Sequence, residues 1–233
     1  DGQLNLTGGI DDFAGRFSSN PEMNTSLNSG EDDNGVLHIN SVIGTSIRDV
    51  AIGRASNSDA STGTVILGGN NQLSGRTYLN GGPIQLGLDG SNSRAFGDSA
   101  VSVNNTNFLL GADDPGSGAQ VLNNINLNAG STLNTQRTLA LGGTLSGAGS
   151  LSVGLLGENG EIIDNTRGRL TLFGHSNPTW RGTTSVVEGS TLTTLNPERI
   201  SNSSSLVADG TVSLGGDETI GDLSGSGIIA NNG

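Results

Sequence analysis

Three pairs of adjacent carboxylates are the first residues that could do chemistry: Asp11–Asp12, Asp32–Asp33 and Asp113–Asp114. Paired acids perform glycoside hydrolysis, but only when they face each other across a cleft. Neighbours on a strand point to opposite faces, so adjacency is the wrong spacing. The segments "GEDDNG" and "ADDPG" are also turn-forming, which predicts solvated turn acids. The two histidines are His38, in the strand-like "GVLHINSV", and His175, in a turn. A Ser-His-Asp site needs a base, an orienting acid and an oxyanion site brought together, and the sequence carries no G-x-S-x-G elbow. Lys is absent, which removes the cationic base a lyase commonly uses. "GEDDNG" and "GLDGSN" offer oxygen ligands for calcium but match no EF-hand loop. Tyr78 and Trp180 are the only aromatics besides Phe. They fall at similar places in two related stretches, so a turn role competes with a sugar platform. No catalytic, cofactor-binding or metal residue is assigned, and the expectation is a protein that is not an enzyme and needs no cofactor.

Composition narrows the class of partner. The net charge is -12, and all ten basic residues are Arg. Nucleic acid and anionic membrane surfaces both require clustered positive charge, so neither is an expected partner. No stretch has the apolar length of a membrane span, and this segment is not expected to be membrane-embedded. Cysteine is absent, which excludes disulfides and thiolate chemistry. Hydrophobic residues make up 32% and Gly contributes 39 residues, yet charged residues are only 14%. Short aliphatic bursts recur throughout, so charge-rich disorder does not fit and many short strands joined by turns do.

The elements that must position any site are read from internal repetition. "VILGGNNQLSGRTYLNGGPIQL" (65–86) and "LTLFGHSNPTWRGTTSVVEGSTL" (170–192) align on Gly75 and Gly182. Thr77, Leu79, Gly82 and Ile84 follow the first Gly; Thr184, Val186, Gly189 and Leu192 follow the second. An alternating aliphatic run and an Asn-bearing turn precede each. "LSGAGSL" (145–151) and "LSGSGII" (223–229) form a second recurring element. Pieces such as "TVILG", "TLAL", "SLSV" and "TVSL" alternate with period two, and helical spacing is almost absent. Strands this short are unstable alone, but stacked in a coil each pairs with the turn of chain above and below. At roughly 20 to 25 residues per rung the chain makes about ten rungs. The Asn doublets at 70, 104, 123 and 231 are expected to mark turns or stacked side-chain ladders.

These stretches resemble the passenger-associated β-strand repeat of autotransporters, the passengers of type V secretion. "LSGAGSL" and "LSGSGII" are similar to the element that commonly precedes that repeat. The resemblance covers residues 63–233. It implies an all-β, right-handed parallel β-helix, extracellular or on the bacterial cell surface.

Residues 1–62 read as N-terminal rungs with a cap or loop excursion, since Ile10, Phe13 and Phe17 have helix-like spacing. Residues 63–233 read as one continuous solenoid holding two modules, about 63–151 and 152–233. The functional expectation is adhesion or self-association, as in biofilm formation, with a second copy or a host or cell-surface ligand such as a glycan as partner. The alternatives are a subunit of an extracellular fibre or matrix polymer and, third, a carbohydrate-active β-helix enzyme.

Overall fold

The computed structural model of the chain describes residues 3–6, 26–27, 36–39, 43, 49–52, 64–80, 82–86, 94–104, 106–110, 119–154, 167–174 and 178–233. Ile10, Phe13 and Phe17, with the expected cap, lie outside them. So do the three carboxylate pairs, "GLDGSN" and His175.

Every strand pairing is parallel, and the strands stack in ten rungs among the described residues. The first rungs carry two strands each: β1 (Gln3–Leu6) and β2 (Ser26–Leu27), β3 (Val36–Ile39) and β4 (Val50–Ile52), β5 (Thr64–Leu67) and β6 (Arg76–Leu79), β7 (Gly82–Leu86) and β8 (Ala100–Val103). The fifth rung holds β9 (Thr106–Leu110), β10 (Ala119–Val121) and β11 (Ile125–Leu127). The sixth holds β12 (Thr132–Leu141) and β13 (Leu145–Gly147); the seventh holds β14 (Ser150–Val153), β15 (Gly168–Leu172) and β16 (Thr179–Trp180). Then come β17 (Thr183–Val186) and β18 (Thr191–Thr194), β19 (Ser205–Ala208) and β20 (Thr211–Leu214), and β21 (Asp222–Ser224) and β22 (Ile228–Asn231).

Three sides result. Side A runs from β1 through β9, β12 and β14 to β21. Side B stacks β2, β4, β6, β8, β11, β13 and β16. Side C begins at β10 and continues through β12, β15, β18, β20 and β22. Strand β12 belongs to two sides: Thr132–Gln136 pairs on side A and Arg137–Leu141 on side C. Arg137 turns that corner with φ of 58°, so one ten-residue strand folds around the edge of the coil. This architecture is a parallel β-helix, as the alternation and turn spacing predict.

The core is a set of inward ranks, one residue per rung. On side A, Leu133, Leu151, Thr184 and Leu206 stack in register. On side C, Leu139, Leu170, Leu192 and Val212 do the same. On side B, Ile52, Leu79, Val103 and Leu127 line up. All of these residues are buried. Each fully buried aliphatic of this size contributes about 1.5–3 kcal/mol. A few per rung therefore suffice, which is how a chain this polar builds a core. Rungs differ in length: partners one rung apart are separated by 17 residues at Asp209–Ser226 and by 33 at Ser150–Thr183. The expected 20 to 25 residues per rung lies between these two values, and turns between strands absorb insertions without disturbing the register.

The repeated motifs sit at different places around the coil. The first copy runs from side A (Val65, Leu67) to side B (Thr77, Leu79) and back to A at Ile84. The second runs from side C (Leu170, Leu172) to A (Thr184, Val186) and back to C at Leu192. Every element of the second copy is displaced one side along the chain path. The L-S-G-x-G element follows suit, turning from B to A at 145–151 and from A to C at 223–229. Its local geometry is nevertheless the same. Gly147 (φ 102°) and Gly225 (φ 111°) lie directly against the carbonyls of Leu127 and Ala208 in the rung below. Two residues on, the Gly149 and Gly227 N–H groups donate to those same two carbonyls, at 2.9 and 2.7 Å. The motif encodes a corner; intervening loop length decides which corner.

Candidate interaction surface

Alternation gives every inward rank an outward neighbour. On side C, Thr138, Arg169, Thr191 and Thr211 form one outward rank. Ala140, Thr171, Thr193 and Ser213 form the second. On side A, Thr132, Ser150, Thr183 and Ser205 are stacked beside Ser152, Ser185 and Val207, whose rank ends on the buried Asn134 in the sixth rung. Neighbouring ranks lie about 6.6 Å apart along the strand, and neighbouring rungs about 4.8 Å apart along the axis. Across the strands of these two faces from the sixth to the ninth rung, the charged residues are two arginines, Arg169 and, at the corner between the faces, Arg137. Among the described residues of these rungs, the acids Glu188, Glu198 and Asp209 lie between strands.

The amides form ladders. Asn128 Nδ2 donates to Asn104 Oδ1, and Asn104 Nδ2 donates to Asn80 Oδ1 at 2.6 Å, each across one rung. Asn71 is fully buried: its Oδ1 accepts the Ile43 N–H at 2.9 Å while its Nδ2 donates to the Ala95 carbonyl at 2.7 Å. One amide thus ties three successive rungs between sides A and B. Asn123 Nδ2 donates to the Gly97 and Ser99 carbonyls, and Asn124 Oδ1 accepts the Thr144 N–H. Asn232 Nδ2 donates to Ser213 Oγ. Members of all four Asn doublets serve turns or inter-rung bonds, as their context predicts.

The aromatic pair separates. Trp180 is buried in the coil, and its Nε1–H donates to Thr184 Oγ1 at 3.1 Å. Tyr78 stands half-buried on β6, outward, beside Ser102 of the next rung. The two are not equivalent, because Tyr78 follows the motif's Gly75 by three residues whereas Trp180 precedes Gly182 by two. The motif threonines are both inward and satisfied: Thr77 pairs with Ser99 Oγ at 2.7 Å and Thr184 with the indole. His38 lies in β3, as expected of a strand residue.

One acid cluster was missed by sequence reading. Glu218 accepts the backbone N–H groups of Arg199 and Ile200 at 2.8 to 3.0 Å, capping the turn in the rung below. Glu198 reaches this turn with φ of 54° and accepts a bond from Thr219 Oγ1. Desolvation, with a smaller push from the Glu198 charge, raises the Glu218 pKa above the ordinary glutamate value despite the backbone donors. Twenty positions separate the two acids, so nothing in the sequence pairs them. Their partners are backbone and hydroxyl groups of the turn, which assigns them to holding it. Two open depressions flank the faces. One, of about 280 Å³, is lined by Gly97, Asp98, Ser99, Leu122 and Asn123, and the other, of about 340 Å³, by Pro178, Arg181 and Ser201–Ser203. Neither brings two carboxylates together. Among the described residues, no group of three His, Asp or Glu is placed to hold a metal ion. Among them too, no helix is long and apolar enough to cross a membrane.

The geometry defines a class, the parallel β-helix, with hydroxyl-bearing faces and amide ladders at its corners. Compared with known proteins, the chain matches no family model, no curated protein and no solved structure.

Proposed function

We propose that this chain acts on the bacterial cell surface as a non-enzymatic β-helix of the autotransporter-passenger type, working by adhesion or self-association. The observation that carries the reading is the pair of outward faces on sides A and C. There, Ser and Thr recur at fixed spacing over successive rungs, with two arginines and no acid among the strand residues of the sixth to ninth rungs. A rigid, repeating array of donors and acceptors offers many weak contacts in parallel, and their sum is large when two arrays align. Low charge matters because copies of a chain at -12 otherwise repel one another.

The test is aggregation of beads coated with the chain, alongside binding of the soluble chain to glycan-bearing cells. Clumping that grows with coating density, or saturable cell binding, supports the reading. Beads that stay dispersed and cells that bind nothing overturn it. Filaments lengthening with concentration under the electron microscope would favour a fibre subunit instead.

A further inference from the structure

Outside the terminal rung, two large hydrophobic side chains are mostly in solvent among the described residues: Leu122, 53% exposed, and Leu195, 56% exposed. They are not scattered. Each is the first residue past its side C strand, and the same position in the intervening rungs holds Gly142 and Phe173. Backbone bonds fix the stack: Gly142 N–H to the Val121 carbonyl at 2.8 Å, Phe173 N–H to Leu141 at 3.1 Å, and Leu195 N–H to Leu172 at 3.0 Å. The Phe173 ring and the Leu122 side chain both close over the bare Cα of Gly142, where a Cβ would lie 2.6 and 2.8 Å from them. The result is one apolar stripe along the C–B corner. It crosses three rung steps and is about 14 Å long.

Single exposed apolar residues need no explanation, but a contiguous stripe beside polar faces marks an interaction site. The order along the axis is Leu, Gly, Phe, Leu. A two-fold axis through its centre sets Leu122 against the partner's Leu195 and Phe173 against the partner's Gly142. The two rings then lie one rung apart, the offset that aromatic pairs favour. Charge selects the same orientation. Glu198, Asp217 and Glu218 outnumber Arg199 at the Leu195 end, while the Leu122 end is flanked by the internally neutralised pair Arg94–Asp98, joined at 3.0 Å. Parallel alignment puts two acidic ends together; antiparallel alignment puts each acidic end against a neutral one.

We propose that this stripe is the centre of an antiparallel, isologous contact with a second copy of the chain. The proposal rests on the self-association reading and names its surface and partner. The stripe is small beside the roughly 800 Å² per partner of a standard interface, so the side C hydroxyl face must flank it and the association is weak.

Because the chain contains no cysteine, cross-linking is clean. Leu122→Cys and Leu195→Cys chains are oxidised separately and as a mixture, beside sedimentation equilibrium of the wild type. Disulfide dimers in the mixture at least about fivefold above either variant alone are expected, since bridging requires Cα atoms within roughly 7 Å. Leu195→Asp, on a side chain mostly in solvent, is expected to weaken dimerisation about tenfold with an unchanged circular dichroism spectrum. Self-cross-linking of Leu122→Cys at the level of the mixture would show a parallel contact and overturn the proposal. Wild-type association with no cross-link and no effect of Leu195→Asp would overturn the surface and leave the self-association reading standing. A wild type that stays monomeric, with coated beads dispersed, removes both.

Discussion

At the residue scale, polar side chains do two kinds of work, and burial separates them. Asn71 and Asn123 satisfy backbone groups of neighbouring rungs from inside the coil; Thr191 and Thr193 stand on its surface. Sequence shows both as polar residues near turns, and nothing local tells them apart. Glu218 has the clearest pH consequence. Its folded pKa lies above its unfolded one, chiefly through desolvation, so the native state holds the proton more tightly. Above the folded pKa the ionised, partly desolvated carboxylate weakens the fold. As pH falls through that value toward the ordinary glutamate range, the native state gains stability relative to the unfolded one. Glu218→Gln cannot titrate and lacks this gain. Denaturant titrations of both proteins from neutral pH downward should therefore show their stability difference moving in favour of wild type as pH falls. A constant difference across the range would mean that Glu218 is not desolvated as the structure shows.

At the scale of elements, strands and corners were legible to different degrees. Alternation in "TVSL" or "SLSV" announces a strand, because one face is buried and the period is two. The structure places β20 and β14 there with alternating burial. The L-S-G-x-G motif was visible as a repeat, but not as a corner that works on any side. That property depends on where the carbonyl of the rung below lies, and the rung below is about 20 residues away in sequence. The outward stripe was illegible for the same reason: Leu122, Phe173 and Leu195 become neighbours only once unequal loops have been summed. Two glycines test the corner argument. Gly130 has φ of 76° with nothing near its would-be Cβ, so Gly130→Ala should cost only the left-handed backbone penalty of about 1–2 kcal/mol. Gly147 adds a would-be Cβ 2.0 Å from the Leu127 carbonyl oxygen. Gly147→Ala should cost more than Gly130→Ala, by an amount read from denaturation midpoints. Equal costs would show that the corner has room to give and that close approach is not what the motif's glycine supplies.

At the scale of the molecule, the coil is a one-dimensional object. Each rung touches the rungs above and below, so stability is a sum of local terms and nearest-neighbour interfaces rather than one indivisible quantity. The uninterrupted register of side A from β9 to β21 shows the coupling, and the unequal sides B and C show where it is thinner. Among the described residues, side B carries strands as far as β16 and side C from β10. Among the described residues, rungs five to seven have strands on all three sides. Leu151, fully buried in the seventh, stacks between Leu133 and Thr184. Leu151→Ala should destabilise by about 2–5 kcal/mol, as large-to-small core changes do. In a globular core that loss would spread over the whole domain. Here it should be graded by rung. Hydrogen exchange followed by mass spectrometry should show protection in the wild type highest in β12–β15 and lower in β21 and β22, whose inward Leu223 and Ile229 are exposed. In the variant, protection should fall most in β12, β14 and β17, and progressively less toward β4 and β20. A uniform fall along the chain would mean that the rungs unfold as a single unit and that the coil is cooperative far beyond nearest neighbours.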